Sequence, residues 1–553
     1  MLHLAFRSFM VLGALFGLLF AILMAALVAM DLPSNTALWI GLGGTIAISL
    51  LQFAISPYIL QWMLRINWIE PEQLGGSIAQ RLRDMCLHKN LPVPRFGVIE
   101  DGNPNAFTFG HYPGDARLVV TRGLLDMLNE DEVGAVMAHE LGHIKHWDFV
   151  VMTVAATVPL VLYVIYRFGF QWGGKVRKAG APVMAVAVTA FVAYIISQYI
   201  VLFLSRTREY YADQFSCVVT GSPNLLASSL VKIAYGLARA EPAAAQQQGR
   251  GAVSLVASGG SKMMGIFDPR FGNSMALSSA ASYSASTHTY DSATTINAMK
   301  WDIWNPWAMI AELSSSHPLP ARRIRHLQGL SHLMGERPLY DLPPRPSESY
   351  WDDFATDVFF QYLPLLGLIA GAVTGLAMAG VTGQAAVLTV ALAVGGAALG
   401  NIVRMLFAYP KNRFESSNVA DLVGEVKVSN IRCHPATLRG RIIGRGIPGL
   451  YWSEDLVVQD ETGFMVMDYR QPLRIFEFLF GLFRADSFVG QNVVAQGWYR
   501  RYPSPYLELW RVQLPDGTIH TCHNWAYQFW GSIVLTVLAA FGVLVGVGVL
   551  LSG

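Results

Sequence analysis

Charge is what this sequence lacks most. Only 14% of its 553 residues are Asp, Glu, Lys or Arg, against 53% hydrophobic, and mean hydropathy is +0.37. Soluble domains carry roughly 25% charged residues, so much of the chain must face lipid. A field of one sign is also missing: 40 basic residues against 38 acidic leave a formal +2, which argues against a nucleic-acid partner. Cysteine is scarce, and Cys86, Cys217, Cys433 and Cys522 show no disulfide framework, which fits reduced, cytoplasm-facing soluble parts. With no C-x-x-C spacing, Cys433-His434 and Cys522-His523 make a poor second zinc site. His3 and Arg7 precede an apolar run too long for a signal peptide, with no polar cleavage region after it, so that run is expected to remain as an anchor.

What is abundant is apolar sequence in long blocks. Near-uniform runs cover Leu4 to Met30, Ala37 to Leu64, Phe149 to Tyr166, Pro182 to Leu204, Val358 to Gly380, Ala385 to Phe407 and Phe529 to Leu551. Each is long enough to cross a hydrocarbon core about 30 Å thick, giving about seven candidate spans. Gly367, Gly371, Gly375, Gly396, Gly400, Gly542 and Gly546 fall at helical spacing within the last three. Such small-residue faces let helices approach closely, within one chain or in a homo-oligomer.

The polar regions between the runs divide the chain. Residues 67–148 and 205–356 are expected to form a catalytic domain on either side of a membrane hairpin, 149–204, with helices over 1–66 before it and 357–408 after it. Within the second part, 240–299 is rich in Ala, Gln, Gly and Ser and reads as a flexible insert. From 409 to 528, alternating apolar and polar residues between Gly and Pro turns, as in Gly424-Glu-Val-Lys-Val-Ser-Asn430, predict a small β barrel of the oligonucleotide/oligosaccharide-binding (OB) type. A last helix follows over 529–553. Arg65, Arg81, Arg83 and Lys89 after the second span, against a link from Asp31 to Thr36 with no basic residue, place the catalytic parts in the cytoplasm. Arg167, Lys175, Arg177 and Lys178 conflict with that count, and the hairpin is kept because the metal ligands on either side of it must meet.

The decisive segment is His139-Glu140-Leu-Gly-His143. Two histidines four apart on a helix stack on one face and can clasp one metal ion, with Glu140 placed to take a proton from bound water. Asn129 and Glu132 predict the helix start, with Glu130 and Asp131 in its first turn. An HExxH string arises by chance in on the order of one chain in a hundred of this length, and its bland reading is a polar helical face. A catalytic zinc wants three protein ligands and an open position. Arg206-Thr-Arg-Glu209-Tyr-Tyr-Ala-Asp213 offers two carboxylates four apart, one to face the metal and one to orient an imidazole.

These motifs, with a later His-Pro element, resemble the HtpX heat-shock protease and CAAX prenyl endoprotease group of membrane gluzincins over roughly Asn67 to Leu330. The resemblance implies zinc held by His139, His143 and Glu209, with Asp213 behind them. It implies a strand lining the substrate cleft at Asn105-Ala106-Phe107, followed by Leu118 to Leu125. It also implies that His317, with Pro318 after it, and Arg323, before Ile324, contact substrate or its oxyanion. His146 reads as a helix-surface residue and Asp148 as the end of the polar face.

The expected architecture is a multispan α-helical membrane protein with a mixed α+β zincin-type catalytic domain and a carboxy-terminal OB-like β barrel. The expected function is hydrolysis of peptide bonds in membrane or misfolded proteins, at a bacterial-type inner (plasma) membrane with the catalytic domain facing the cytoplasm. Partners would then be polypeptide substrates and the lipid bilayer. Selective processing of lipidated or prenylated peptides, and an idle scaffold or chaperone with structural zinc, are the alternatives.

Overall fold

A computed structural model describes residues 2–29, 34–173, 180–234, 283–284, 289–290, 292–379, 385–411, 414–445, 454–502 and 504–552. Two compact units divide the chain. The first comprises Met1–Ala240, Arg250–Gly272 and Ile310–Leu342; the second comprises Glu241–Gly249, Asn273–Met309 and Pro343–Gly553.

The first unit opens with α1 (Leu2–Ala29) and α2 (Ser34–Leu64). A four-stranded sheet follows, from β1 (Asn67–Trp68), β2 (Arg95–Ile99), β3 (Ala106–Phe109) and β4 (Arg117–Thr121), with α3 (Gly76–His88) between the first two strands. The spatial order is β1-β2-β4-β3, with β2 parallel to β4 and β3 antiparallel to it, so β3 is an edge. Phe107 and Phe109 leave one face of β3 to pack with Leu64 and Val119. Thr121 caps α4 (Arg122–Met127), so the expected run Leu118 to Leu125 is half strand and half helix.

Helix α5 (Glu130–Lys145) carries the histidine pair. Its start is the predicted one: the Asn129 side chain accepts from the Glu132 N–H at 2.9 Å, and the Glu132 carboxylate accepts from the Asn129 N–H at 3.0 Å, satisfying two orphan donors reciprocally. At the other end Trp147 has φ 58°, left-handed backbone unusual for a bulky residue. That reversal starts α6 (Asp148–Gly173).

After the link, α7 (Gly180–Thr220) runs unbroken for 41 residues. At 1.5 Å per residue it is about 60 Å long, twice a bilayer core. The expected boundary near Ser205 is therefore no break: one helix both crosses lipid and carries Glu209 and Asp213 beyond it. α5 lies closely along it, since a Cβ on Gly142 would meet Ala212 Cα at 3.0 Å, and Ser216 Oγ donates to the Ala135 carbonyl at 2.7 Å. Leu15, Leu19, Val158, Leu162 and Ala190 share the membrane-level core of α1, α6 and α7.

The described part of the expected insert 240–299 differs from expectation at its end. Residues 235–282 lie outside the described residues, but Ser292 opens helix α8 (Ser292–Trp304), whose Thr295, Ala298 and Met299 are buried. α9 (Pro306–Leu313) and α10 (Pro320–Leu333) follow, the second in the first unit.

In the second unit α11 (Trp351–Ala379) and α12 (Ala385–Ala408) pack through the predicted glycines. A Cβ on Gly367 would lie 2.1 Å from the Gly396 carbonyl oxygen, and one on Gly371 equally close to that of Leu392. Gly546 of α16 (Asn524–Ser552) abuts Leu388. These glycines serve contacts within the chain. Five helices among the described residues are long and apolar enough to cross a membrane: those at Asp148–Gln171, Ala181–Thr220, Trp351–Met378, Ala386–Ala408 and Asn524–Gly548. α1 and α2 contribute shorter apolar stretches, Met10–Ala26 and Phe53–Leu64.

Between α12 and α16, past the short α13 (Val419–Gly424), stands the predicted barrel. Its strands are β5 (His434–Arg445), β6 (Leu456–Gln459), β7 (Phe464–Asp468), β8 (Asn492–Arg501) and β9 (Pro505–Gln513). α14 (Arg474–Phe483) and α15 (Ala485–Phe488) join β7 to β8. The order β7-β6-β5-β8-β9 closes through a parallel pairing of β7 with β9, and β10 (Ile519–Thr521) extends β9. The barrel is tied to the end of α12: Arg500 Nη2 donates to the Ala408 carbonyl at 2.6 Å and Tyr409 Oη to Glu508 Oε1 at 2.8 Å. Arg500 and Arg501 are thus internal. Arg501, fully buried, pairs with Asp302 of α8 at 3.0 Å.

Candidate metal centre

Helical spacing brings the His139 and His143 rings together at right angles, with their Nε2 atoms 3.1 Å apart. α7 supplies the third group. Glu209 Oε2 lies 3.5 Å from His139 Nε2 and Glu209 Oε1 3.6 Å from His143 Nε2. Donors bound at about 2.0–2.2 Å and tetrahedral angles stand about 3.4 Å apart, so the two nitrogens and the Glu209 carboxyl group lie at spacings suited to such a polyhedron. The residues fit a metal on a second count as well. Glu209 Oε2 is buried without a hydrogen bond of proper geometry, although Arg323 Nη1 is 3.3 Å away. Among the described residues, this is the one group of three or more ligand-type side chains so arranged.

Each imidazole is oriented from behind by a carboxylate. His139 Nδ1 is 3.0 Å from Asp213 Oδ1, and His143 Nδ1 is 2.6 Å from Asp148 Oδ2. Such partners fix the tautomer so that Nε2 would be left to hold a metal. Asp213 stands where the sequence placed it. Asp148 does not: instead of merely ending the polar face it supports His143, because the turn at Trp147 swings it back. It is held in turn by Arg208, which also donates to Ser8 Oγ of α1 at 2.6 Å and to the His146 carbonyl. His146 itself faces Tyr211 and Phe215, away from the ligands.

Charge at this centre is nearly all internal. Burial pushes the His139 imidazolium down, but Asp213 and Glu209 override it and raise its pKa. Burial acts likewise on His143, and Asp148, Glu209 and Glu140 lift it to about 9. Without a metal, the surrounding carboxylates favour protonation of the imidazole pair.

Glu140, also buried, lies beside the pair, and Thr108 Oγ1 of β3 donates to its Oε2 at 3.1 Å. Sequence reasoning missed Thr108, although alternation places it opposite Phe107 and Phe109, on the face toward α5. In the expected substrate strand, the Ala106 and Phe107 side chains are buried and the Asn105 N–H bonds Thr121 Oγ1 at 2.8 Å. What β3 offers a ligand is therefore its backbone edge and Thr108.

His317 reaches the site from the loop before α10, its Nδ1 3.2 Å from Glu209 Oε1. The expected role of Arg323 in touching substrate is not what the structure shows. Arg323 has no exposed surface and spans Asp213, with Nη2–Oδ1 2.6 Å and Nε–Oδ2 3.0 Å, and Glu209. It stands behind the ligands, where two buried carboxylates need a fixed cation. Those carboxylates offset its burial cost and raise its pKa.

The sequence profile of Peptidase family M48 matches residues 72–331, which contain every residue of this centre. A protease HtpX homolog of Methanothermobacter thermautotrophicus is 37% identical over 252 residues, 45% of this chain and 93% of that protein. The chain belongs to the HtpX-type M48 peptidases. HtpX homologs of Aeropyrum pernix (38% over 196 residues, 34% of this chain and 60% of theirs) and Burkholderia multivorans (35% over 240 residues, 39% and 84%) are also similar. Among solved structures, that of S. mikatae Ste24p aligns with TM-score 0.32 and 15% identity over 59% of this chain and 67% of its own. As an HtpX-type M48 peptidase the chain is a multi-pass membrane metalloprotease that hydrolyses peptide bonds, and its family uses a metal cofactor.

Proposed function

We propose that the metal is zinc, one per chain, held by His139, His143 and Glu209, and that the substrates are membrane or misfolded polypeptides. The observation that carries this is the convergence of the three donors at edges near those of a tetrahedron, with the fourth corner left to water or substrate. Two imidazoles and a carboxylate form a borderline donor set suited to zinc. Bound there, zinc would supply a Lewis acid that acidifies water and polarises the scissile carbonyl.

The remaining chemistry belongs to side chains. Glu140 takes the proton of the attacking water and passes it to the leaving amine, and Thr108 fixes its rotamer. An extended substrate would add to β3 as a further strand through main-chain hydrogen bonds. His317, facing the ligands at 8% exposure, is placed to donate to the developing oxyanion. Arg323 and Asp213 hold the ligands rather than the substrate.

The cytoplasmic orientation and the bacterial-type inner membrane are part of this reading. Arg65, Arg81, Arg83 and Lys89 support them by the charge rule, while Lys175, Arg177 and Lys178 lie outside the described residues. The closure order of the barrel, with a helix between β7 and β8, supports the OB-type reading.

The test is cleavage of an unfolded protein by the detergent-purified chain and by Glu140→Gln, with and without chelator. Glu140→Gln is expected to retain metal and lose roughly 10² to 10⁴ in turnover. Unchanged hydrolysis would refute the assignment.

A further inference from the structure

The barrel carries an apolar face unsuited to water. Ile475, Phe476, Phe478, Leu479, Leu482 and Phe483 of α14 are 39 to 74% exposed, Phe483 the most. They are six of the ten residues of one helix. Its inner side is anchored: Phe480 stacks on Tyr469 with centroids 3.9 Å apart and 15° between planes, and also meets Phe488. The exposed side is thus a rigid, contiguous patch rather than a scatter of single residues.

We propose that α14 lies in the headgroup layer of the same bilayer that α16 crosses, laying the barrel on an anionic lipid surface. The position of the helix argues for lipid over a protein partner. Gln471, three residues before α14, donates from Nε2 to the Thr521 carbonyl at 3.3 Å and accepts from the His523 N–H at 3.4 Å. Its own N–H donates to Glu477 of α14 at 2.9 Å. α16 starts at the next residue, Asn524, and opens with Trp525, Tyr527, Phe529 and Trp530. Such aromatics settle at the membrane–water boundary, and Lys411 caps Trp525 at 3.4 Å from the ring centre.

The hydrogen bonds therefore fix the start of α14 at the depth of that aromatic belt. A protein covering the patch would have to displace headgroups already there. Arg474 and Arg484 flank the exposed face, both exposed themselves, as in helices that lie along a membrane surface and meet lipid phosphates.

The test uses the full chain in nanodiscs of phosphatidylcholine, alone or mixed with phosphatidylglycerol. Single cysteines at Phe476→Cys, Leu479→Cys and Phe483→Cys take a fluorophore; Asp516→Cys, on the exposed turn before β10, is the control. Retained peptidase activity certifies folding, since none of these positions belongs to the metal centre. The three labels should be quenched by lipids brominated near the glycerol end of the chain, and by iodide roughly fivefold less than the control. Iodide quenching equal to that at Asp516→Cys would place the face in water and overturn the proposal. Shielding from iodide without bromolipid quenching would overturn it in favour of a protein cover, a second copy if it grows with protein concentration. In the unlabelled chain, amide exchange over 474–483 should be slower when phosphatidylglycerol is present. Equal rates in both nanodiscs would remove the anionic preference.

Discussion

Asp148 gives the sharpest separation between holding a metal and holding a fold. Its carboxylate is 7% exposed and takes two loads: His143 Nδ1 at 2.6 Å and the Arg208 guanidinium. Asp148→Asn keeps an acceptor for the imidazole but removes the charge. Loss of such an outer partner weakens metal binding by about 10- to 100-fold, or about 1.4 to 2.8 kcal/mol. Asn should fall at the lower end and Asp148→Ala at the upper. Ala also strands Arg208, itself 3% exposed; an unpaired buried charge costs about 3–5 kcal/mol. A double variant, Asp148→Ala with Arg208→Met, removes both charges and should recover much of that stability while leaving the metal affinity low. The assay is competition with a chromophoric chelator for affinity, and thermal unfolding of the metal-free chain in detergent for stability. Wild-type affinity in both Asp148 single variants would refute the role given to this carboxylate. Equal affinity loss and stability loss across all three variants would show that Asp148 acts through folding alone.

Other expectations follow from neighbouring contacts. Arg323→Met should cost metal content and stability, because it removes the buried cation shared by Asp213 and Glu209, while the fraction still loaded should turn over near the wild-type rate; a pure kcat loss at full metal content would restore the substrate-contact role. His317→Ala should do the reverse, keeping metal and lowering kcat by roughly 10² to 10³, as for other oxyanion donors, read by steady-state kinetics on metal-verified protein. Metal affinity should rise with pH between 6 and 9: the metal-free protein holds protons on His139 and His143, the latter up to about 9, and binding must displace them. The sign for the metal-free fold is opposite, since a raised folded pKa stabilises below the unfolded value near 6.5 and that stability fades as pH climbs towards 9; titrating unfolding midpoints with and without metal checks both. Gly371→Leu should disrupt the pairing of α11 with α12, where a Cβ already meets the Leu392 carbonyl oxygen at 2.1 Å, and wild-type unfolding would show that the helices separate freely.

The residues that were legible in the sequence are those whose geometry is local. Asn129, Glu132, His139, Glu140 and His143 lie within one helix, where spacing alone sets which side chains share a face. Glu209 and Asp213 were legible for the same reason, but their division of labour depended on which carboxylate meets which nitrogen. Asp148 was missed because five residues is the wrong interval for a helical neighbour of His143, and only the left-handed Trp147 makes it one; no glycine or asparagine marks that turn. Arg323 was singled out for substrate contact, whereas its side chain is buried against Asp213 and Glu209, since sequence does not show whether an arginine meets the cleft or its back wall. The alternation of the barrel strands was readable, whereas the parallel pairing of β7 with β9 that closes it joins residues about forty apart.

The unbroken course of α7 makes it a ruler. Its apolar stretch ends at Leu204 before Arg206 and Arg208, and Glu209 is five residues further along the same rigid rod, about 7 to 8 Å at helical rise. With α5 clamped to it at Gly142, the whole centre is held at one height above the hydrocarbon. A substrate leaving the bilayer in extended form covers that height in two or three residues. Peptide bonds just outside a span are then presented without unfolding anything else, and bonds farther out must first be brought down. Stepping a cleavage site outward from a model span, one residue at a time, should give a maximum at that distance; a flat profile would mean that the rod sets no measure.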